Sequence, residues 1–318
     1  VLSFSDPRTG TDVVLVAVMH FNPHSAARAA EVSADLLRGG RLGAVVVESC
    51  ATRWERVQRT QAPGSFLHAV LGDEMQAAAE VAEAGGRPVV LGDQPSKQIN
   101  ARILACARTA WADLASPLQG GWGRTLQGIA DGVASLARGA HRKGRAAEAA
   151  AEEPGSIGAS DLLDPGLVVG TPVAALRYLA MSCLRSSRLS MVVLPAMALS
   201  LFPEAPVSSE LPGVTWDGLA SVLLVLLATF TLRVFVGIWE EVLIGTRNVV
   251  LARSIGAACA AVAGRGQAVV AVLGALHCNG VKELLLSGDY VGDAEPAPCE
   301  EGARSALVFA QPSGAVQR

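Results

Sequence analysis

Val13-Val14-Leu15-Val16-Ala17-Val18-Met19-His20 is an apolar run of strand length, mostly β-branched, that ends in a histidine. A second run, Ala271-Val272-Leu273-Gly274-Ala275-Leu276-His277, repeats this pattern near the other end of the chain. Both are apolar at successive positions, which is typical of strands buried on both faces of a sheet. Each has a small residue, Ala17 or Gly274, three positions before its histidine. We therefore predict two buried strands that carry His20 and His277 at their carboxyl ends.

Further apolar runs alternate with helix-like segments. Short valine-rich runs at 44–47 and 88–91 predict strands, and they lead into Glu48 and Asp93. Apolar residues at helical spacing predict helices, at 25–38, 73–84, 99–114 and 240–255. Strands that alternate with helices pair mainly in parallel. The predicted fold class is α/β: a mainly parallel sheet flanked by helices, with a hydrophobic helical insert.

Four predicted strands thus lead into residues that can bind metal or transfer protons: His20, Glu48, Asp93 and His277. In open α/β sheets, ligands bind beyond the carboxyl ends of the strands. A single histidine at a strand end is often an ordinary hydrogen-bonded core residue. Two matching strand–histidine units together with two acids favour a common site. His24, in a loop, is predicted to be exposed, and Cys50 and Cys278 are predicted to serve packing.

The composition excludes several classes of protein. Apolar residues make up 51% and charged residues 17%, which excludes disorder over most of the length. A net charge of −3 with seven Phe and two Tyr gives no sign of a nucleic-acid partner. None of the six cysteines forms a C-x-x-C pair, so we expect a reducing compartment rather than a disulfide framework.

The middle of the chain has a different character and suggests four segments. These are 1–115 (the N-terminal half of the α/β domain), 116–165 (a helical or low-complexity insert), 166–239 (a hydrophobic helical segment) and 240–318 (the C-terminal half and tail). Two apolar blocks, Leu189–Phe202 and Leu219–Leu232, favour membrane contact, with Trp216 and Trp239 as interfacial anchors. A pair of crossings, a re-entrant or surface hairpin and a buried core pair all stay open.

The ordered motifs of this chain resemble those of the TraB family, which includes bacterial pheromone-shutdown proteins and is similar to the Tiki-type metal-dependent proteases. Glu48-Ser49-Cys50 with Arg53 resembles the family's "E-L-C…R", and Asp73-Glu74-Met75 resembles its helix start. The remaining matches follow in order: Leu91-Gly92-Asp93-Gln94-Pro95 to "L-G-D-R-P", Arg102 to a family arginine, Thr246-Arg247-Asn248 to "E-R-D", and Gly274–His277 with Asn279–Val281 to "G-x-G-H-x-x-G-I".

This resemblance implies a metal-dependent hydrolase that acts on a peptide or protein. His20 and His277 would be metal ligands, and Glu48 a ligand or the base that activates water. The metal would be Zn, Mn or Co. Arg102 and Arg247 would neutralise the oxyanion or bind a substrate carboxylate. Asp93 would orient a ligand histidine, and Glu74 would cap its helix or pair with an arginine.

Departures from the family pattern support an alternative function. Ala17 and Leu276 stand where the family has glycine, and Gln94 stands where it has arginine. Thr246 and Asn248 replace two acids. The alternative is a catalytically weak or inactive regulator or tether at a membrane. For either function we expect an intracellular setting, at an organelle membrane such as that of a mitochondrion or plastid, and the oligomeric state stays open.

Overall fold

The computed structural model describes residues 1–132, 155–185, 216–291 and 307–308. A six-stranded sheet has the order β1-β2-β5-β3-β4-β6. Its strands are β1 (Leu2–Ser5), β2 (Asp12–Val18), β3 (Leu42–Val47), β4 (Val89–Leu91), β5 (Ala268–Gly274) and β6 (Leu307–Val308). The four inner strands are parallel and the two edge strands are antiparallel. The predicted α/β class with a mainly parallel sheet is confirmed.

Helices follow the strands. They are α1 (Pro23–Arg38), α2 (Ala51–Thr60), α3 (Phe66–Leu71), α4 (Glu74–Ala84), α5 (Ser96–Ala115), α6 (121–132), α7 (Ala159–Leu162), α8 (Pro165–Arg185), α9 (Trp216–Gly237), α10 (Thr246–Val262) and α11 (Ala275–Ser287). Residues Ile238–Gly245 form a π-helix between α9 and α10. Asp73, predicted as the first residue of this helix, is its N-cap and forms a capping box with Gln76.

The sheet is covered on both faces, which explains why its strands are apolar at successive positions. Val13 and Leu15 of β2 pack in one cluster with α10 and α11, whereas Val16 and Val18 pack in another with α1 and α4. Residues of β5 alternate between the same two clusters. Alternate side chains of a strand point to opposite faces, so each strand feeds two cores.

Three details differ from the sequence-based expectations. His277 lies in the first turn of α11, because β5 ends at Gly274. Helix α1 begins at Pro23 with Asn22 as its N-cap, whereas Ser25 lies in the first turn and accepts the Met19 N–H. The edge strands β1 and β6 were not predicted, because strands of four and two residues are too short to show a hydrophobic periodicity.

The described residues form two compact units. The first contains the sheet and falls within Val1–Ile99, Arg145–Tyr178 and Ile244–Arg318; the second falls within Asn100–Gly144 and Leu179–Leu243. The apolar block Leu189–Phe202 lies outside the described residues, and Leu219–Leu232 lies within α9. Among the described residues, no helix combines the length and the apolar character needed to cross a membrane.

Candidate functional site

Three strand ends bring the predicted residues to one edge of the sheet. His20 follows β2, Glu48 follows β3, and His277 lies one turn beyond β5. Strand β5 pairs with both β2 and β3, so it holds their carboxyl ends on either side of its own. This central position of β5 is the reason that residues far apart in the sequence meet here.

The two imidazoles face the same carboxylate oxygen. His20 Nε2 lies 3.9 Å from Glu48 Oε1, and His277 Nε2 lies 3.5 Å from it. The Glu48 and His277 side chains are only 3% and 7% exposed, whereas that of His20 is 41% exposed. The cluster is therefore buried on the Glu48 side and opens to solvent at His20.

Glu74 fixes the ring of His20 from behind. Its Oε1 accepts a hydrogen bond of 2.6 Å from His20 Nδ1, and its Oε2 accepts the Phe21 N–H at 3.1 Å. Burial lowers the pKa of His20, but the hydrogen bond and charge of Glu74, aided by Glu48, outweigh it and raise that pKa. With Nδ1 donating to a carboxylate, the lone pair of the neutral ring lies on Nε2, towards Glu48.

Phe21 adds a conformational constraint beside His20. Its φ of 61° lies in the left-handed region, which a bulky residue adopts only when its surroundings hold it there. Glu74 binds its N–H, its carbonyl accepts from Arg177, and its ring packs edge-on against Tyr178. These contacts lock the backbone directly after His20 and so limit the orientations of the imidazole.

Asn248 fixes the ring of His277 as Glu74 fixes that of His20, but through an uncharged amide oxygen. Its Oδ1 accepts a 2.7 Å hydrogen bond from His277 Nδ1, so Nε2 again faces Glu48. Burial lowers the pKa of His277, and the positive charge of Arg247 lowers it further. The negative charges of Glu48 and Asp93 raise it, but the net shift is downward. His277 is therefore a neutral imidazole at neutral pH, which is the form that binds metal.

Both carboxylate oxygens of Glu48 accept hydrogen bonds. Oε2 accepts the backbone N–H of Gly274 at 2.7 Å, and Oε1 accepts a hydrogen bond from Arg247 Nη2. Gly274 leaves the space around these groups open: a Cβ at this position would lie 3.1 Å from His20 Nε2 and 3.3 Å from Glu48 Oε2. The missing side chain of Gly274 thus keeps room between His20 and Glu48.

Asp93 binds arginines rather than a histidine, which corrects the role expected for it. Arg247 donates to both its oxygens, at 3.2 Å through Nε and 2.6 Å through Nη2, and Arg53 donates to Oδ2. Burial raises the pKa of Asp93, but these two guanidinium groups hold it below its usual range. Glu74, expected to pair with an arginine or cap its helix, instead binds His20 and Phe21.

The remaining residues singled out in the sequence are not among the groups that contact Glu48, His20 or His277 in the described hydrogen bonds and ion pairs. Arg102 is exposed on α5 and belongs to the second unit, so its part in the site stays a prediction. His24 is half-exposed, as expected, but it lies in the first turn of α1 rather than in a loop, and its Nε2 is 3.5 Å from Asp164 Oδ1. Burial raises the pKa of the Cys278 thiol to about 12, which suits the packing role predicted for it. Burial raises the pKa of Cys50, but hydrogen bonds and charge from Arg53 bring it below the ordinary value.

Two functional residues were missed as histidine partners, namely Glu74 and Asn248. Glu74 lies 54 positions from His20 in the sequence, and Asn248 lies 29 positions from His277. A carboxylate directly after an N-cap residue normally faces solvent near the helix dipole, yet Glu74 is fully buried. In the sequence, Glu74 lies four positions before Ala78 and so shares the apolar face of α4; an acid on that face is the one signal that would have identified it.

The donor atoms fit a divalent cation, although they are not preorganised around one. The described residues contain no group of three or more His, Cys, Asp or Glu side chains already arranged as a metal site. Ligand atoms around tetrahedral Zn²⁺ stand about 3.3 Å apart for bonds of about 2.0–2.1 Å. The distances from Glu48 Oε1 to His277 Nε2 and His20 Nε2, 3.5 and 3.9 Å, approach this value. The hydrogen bond from Arg247 to Glu48 Oε1 would have to break before a cation could bind this oxygen.

No family model, curated protein or solved structure matches this chain. An apolar hollow of about 510 Å³ lies on α9 in the second unit. The described residues that line it include no acid or base: Leu227, Ala228, Thr231, Leu232 and Phe235.

Proposed function

We propose that this chain is a metal-dependent hydrolase whose divalent cation, Zn, Mn or Co, is held by His20, His277 and Glu48. One observation carries the proposal: two imidazole Nε2 atoms converge on one buried carboxylate oxygen, at 3.9 and 3.5 Å. Histidine nitrogens with a carboxylate form the common donor set of catalytic sites for these metals.

The groups behind the histidines support this assignment. Histidine ligands usually donate their second ring N–H to a carboxylate or carbonyl oxygen, which fixes the tautomer and the orientation of the ring. Glu74 and Asn248 accept those two bonds here. A cation bound in this position supplies Lewis acidity towards water and towards a substrate carbonyl.

The protein's own residues divide the remaining work. His20 lies at the open side, so a substrate approaches past its ring. Arg247 places a guanidinium beside Glu48 and Asp93, where it can balance negative charge that develops on a carbonyl oxygen. Arg102 is proposed for the same task. The substrate class, a peptide or protein, rests on the TraB resemblance alone, and membership of that family is part of the proposal.

Elemental analysis of the purified full chain tests the metal. Wild type should retain close to one equivalent of Zn, Mn or Co after dialysis, and the His20→Ala, His277→Ala double variant should retain none. His24→Ala is the matched control, because this half-exposed histidine lies beside Asp164 outside the cluster. Equal metal in wild type and the double variant contradicts the assignment. Cleavage of a fluorescent casein substrate, with and without chelator, then tests hydrolysis.

A second candidate is a non-catalytic regulator or tether, favoured by the Arg247–Glu48 ion pair. This pair satisfies the buried carboxylate without any metal. Wild-type protein that is folded, free of metal and unable to bind it would favour this candidate. Membrane contact of Leu219–Leu232 stays a prediction for both, and carbonate extraction of the expressed chain tests it.

A further inference from the structure

The oxygen that faces both histidines also carries a guanidinium group. Glu48 Oε1 accepts from Arg247 Nη2 while it faces His277 Nε2 at 3.5 Å and His20 Nε2 at 3.9 Å. The Arg247 side chain is only 11% exposed, so little water screens its charge. One buried carboxylate oxygen is thus shared between an internal cation and the two imidazoles.

Arg247 has a second anchor that does not involve Glu48. Its Nε and Nη2 donate to the two oxygens of Asp93, at 3.2 and 2.6 Å. Glu48, for its part, keeps the Gly274 N–H on Oε2. Freeing Oε1 therefore breaks one hydrogen bond and leaves both Arg247 and Glu48 partnered.

We propose that Arg247 is an internal cation that competes with the divalent metal for Glu48 Oε1. It neutralises the buried carboxylate when no metal is bound, and it withdraws towards Asp93 when a cation takes Oε1. This inference rests on the proposed function and adds a control on metal affinity to it. The guanidinium then weakens metal binding, because the cation has to displace it from Oε1 before it can bind.

Arg53 provides the matched control. It donates to Asp93 Oδ2, as Arg247 does, and its side chain is 28% exposed. Among the described contacts it has none to Glu48. Removing Arg53 therefore removes a guanidinium from the same Asp93 without freeing Glu48 Oε1, which separates competition for this oxygen from a general change in local charge.

The test is Co²⁺ binding to the full metal-free chain, followed by visible absorption and by calorimetry. Arg247→Met should bind Co²⁺ at least tenfold more tightly than wild type, and Arg53→Met should stay within threefold of it. Circular dichroism checks that each variant is folded. If Arg247→Met does not fold, Arg247→Lys replaces it, and it should bind a few-fold more tightly because one compact ammonium serves two carboxylates less well than a fork of donors.

The outcomes separate this inference from the proposed function. If wild type binds Co²⁺ and the Arg247 variant binds it equally or more weakly, the competition is wrong and the metal site stands. The competition is also wrong if Arg53→Met tightens binding as much as Arg247→Met does. If no folded variant binds Co²⁺, both the metal site and the competition are wrong.

Discussion

Gly274→Ala places one methyl group in the space between His20 and Glu48. The backbone of Gly274, at φ −52° and ψ 136°, is open to any L-residue, so alanine introduces no backbone strain. Its N–H to Glu48 is kept. The new Cβ would lie 3.1 Å from His20 Nε2, 3.3 Å from Glu48 Oε2 and 3.6 Å from His277 Cδ2. This substitution therefore tests the site with very little change to the fold.

The expected effects on stability and on metal affinity differ in size. Ordinary van der Waals contacts are about 3.5–4.0 Å, so His20 and Glu48 must move by a few tenths of an ångström. Such overpacking costs about 1–3 kcal/mol, partly offset by about 0.4–1 kcal/mol because alanine restricts the unfolded chain. We expect a net loss of about 1 kcal/mol in the free energy of unfolding. Two displaced donor atoms should weaken Co²⁺ binding at least tenfold, or by about 1.4 kcal/mol.

Urea denaturation and Co²⁺ titration measure these two quantities on the same samples. Gly39→Ala is the control, because Gly39 ends α1 with φ −74° and the added Cβ would meet only ordinary contacts of 3.5 and 3.8 Å. It should leave Co²⁺ affinity unchanged. Wild-type affinity in a folded Gly274→Ala protein would refute the location of the cation between His20, His277 and Glu48.

Two further substitutions test the groups around this site. Glu74→Gln removes the charge that raises the pKa of His20, so the NMR titration of His20 should move to lower pH. About 2 kcal/mol of stability should also be lost, because the amide cannot accept both hydrogen bonds that Glu74 accepts. An unchanged titration of His20 would contradict its pairing with Glu74. Burial and the charge of Glu74 raise the pKa of Asp73 to about 6, so the folded state holds an extra proton between about pH 4 and 6 and loses stability as pH rises through that window. Asp73→Asn keeps the helix cap, and it should exceed wild type in stability above pH 6 by about 3 kcal/mol at most, with no difference near pH 4. Parallel melting curves across pH 4–8 would contradict this.

The central strands could be predicted because strands buried on both faces consist of apolar residues at successive positions. Val13–Val18 and Ala268–Gly274 lie between two helical layers, so every position is apolar. Parallel strands share a carboxyl edge, and this alone placed His20 and Glu48 together before the strand order was known. The order itself, with β5 between β2 and β3, depends on contacts across more than 200 residues and has no local signature.

The partners of the site residues were harder to predict, for a physical reason. A side chain's class is visible in the sequence, but its hydrogen-bond partner depends on how elements pack. The family resemblance implied that Asp93 orients a ligand histidine, yet it accepts hydrogen bonds from Arg53 and Arg247 instead. His277 was expected on a strand, but Gly274 ends β5 and allows α11 to begin. That turn brings the imidazole over the sheet edge towards Glu48.

The different partners of the two histidines give them different chemical roles. Glu74 supplies His20 with a full negative charge, whereas Asn248 supplies His277 with a neutral carbonyl. A carboxylate partner makes an imidazole more basic, so His20 is the better proton acceptor, and it is also the more exposed. His277, with its lowered pKa, is neutral and buried. Arg247 donates to the Glu48 oxygen that a metal would need, and its positive charge also lowers the pKa of His277. For the proposed cation, affinity at this edge would be set by the balance between Glu48, which attracts positive charge, and Arg247, which already neutralises Glu48.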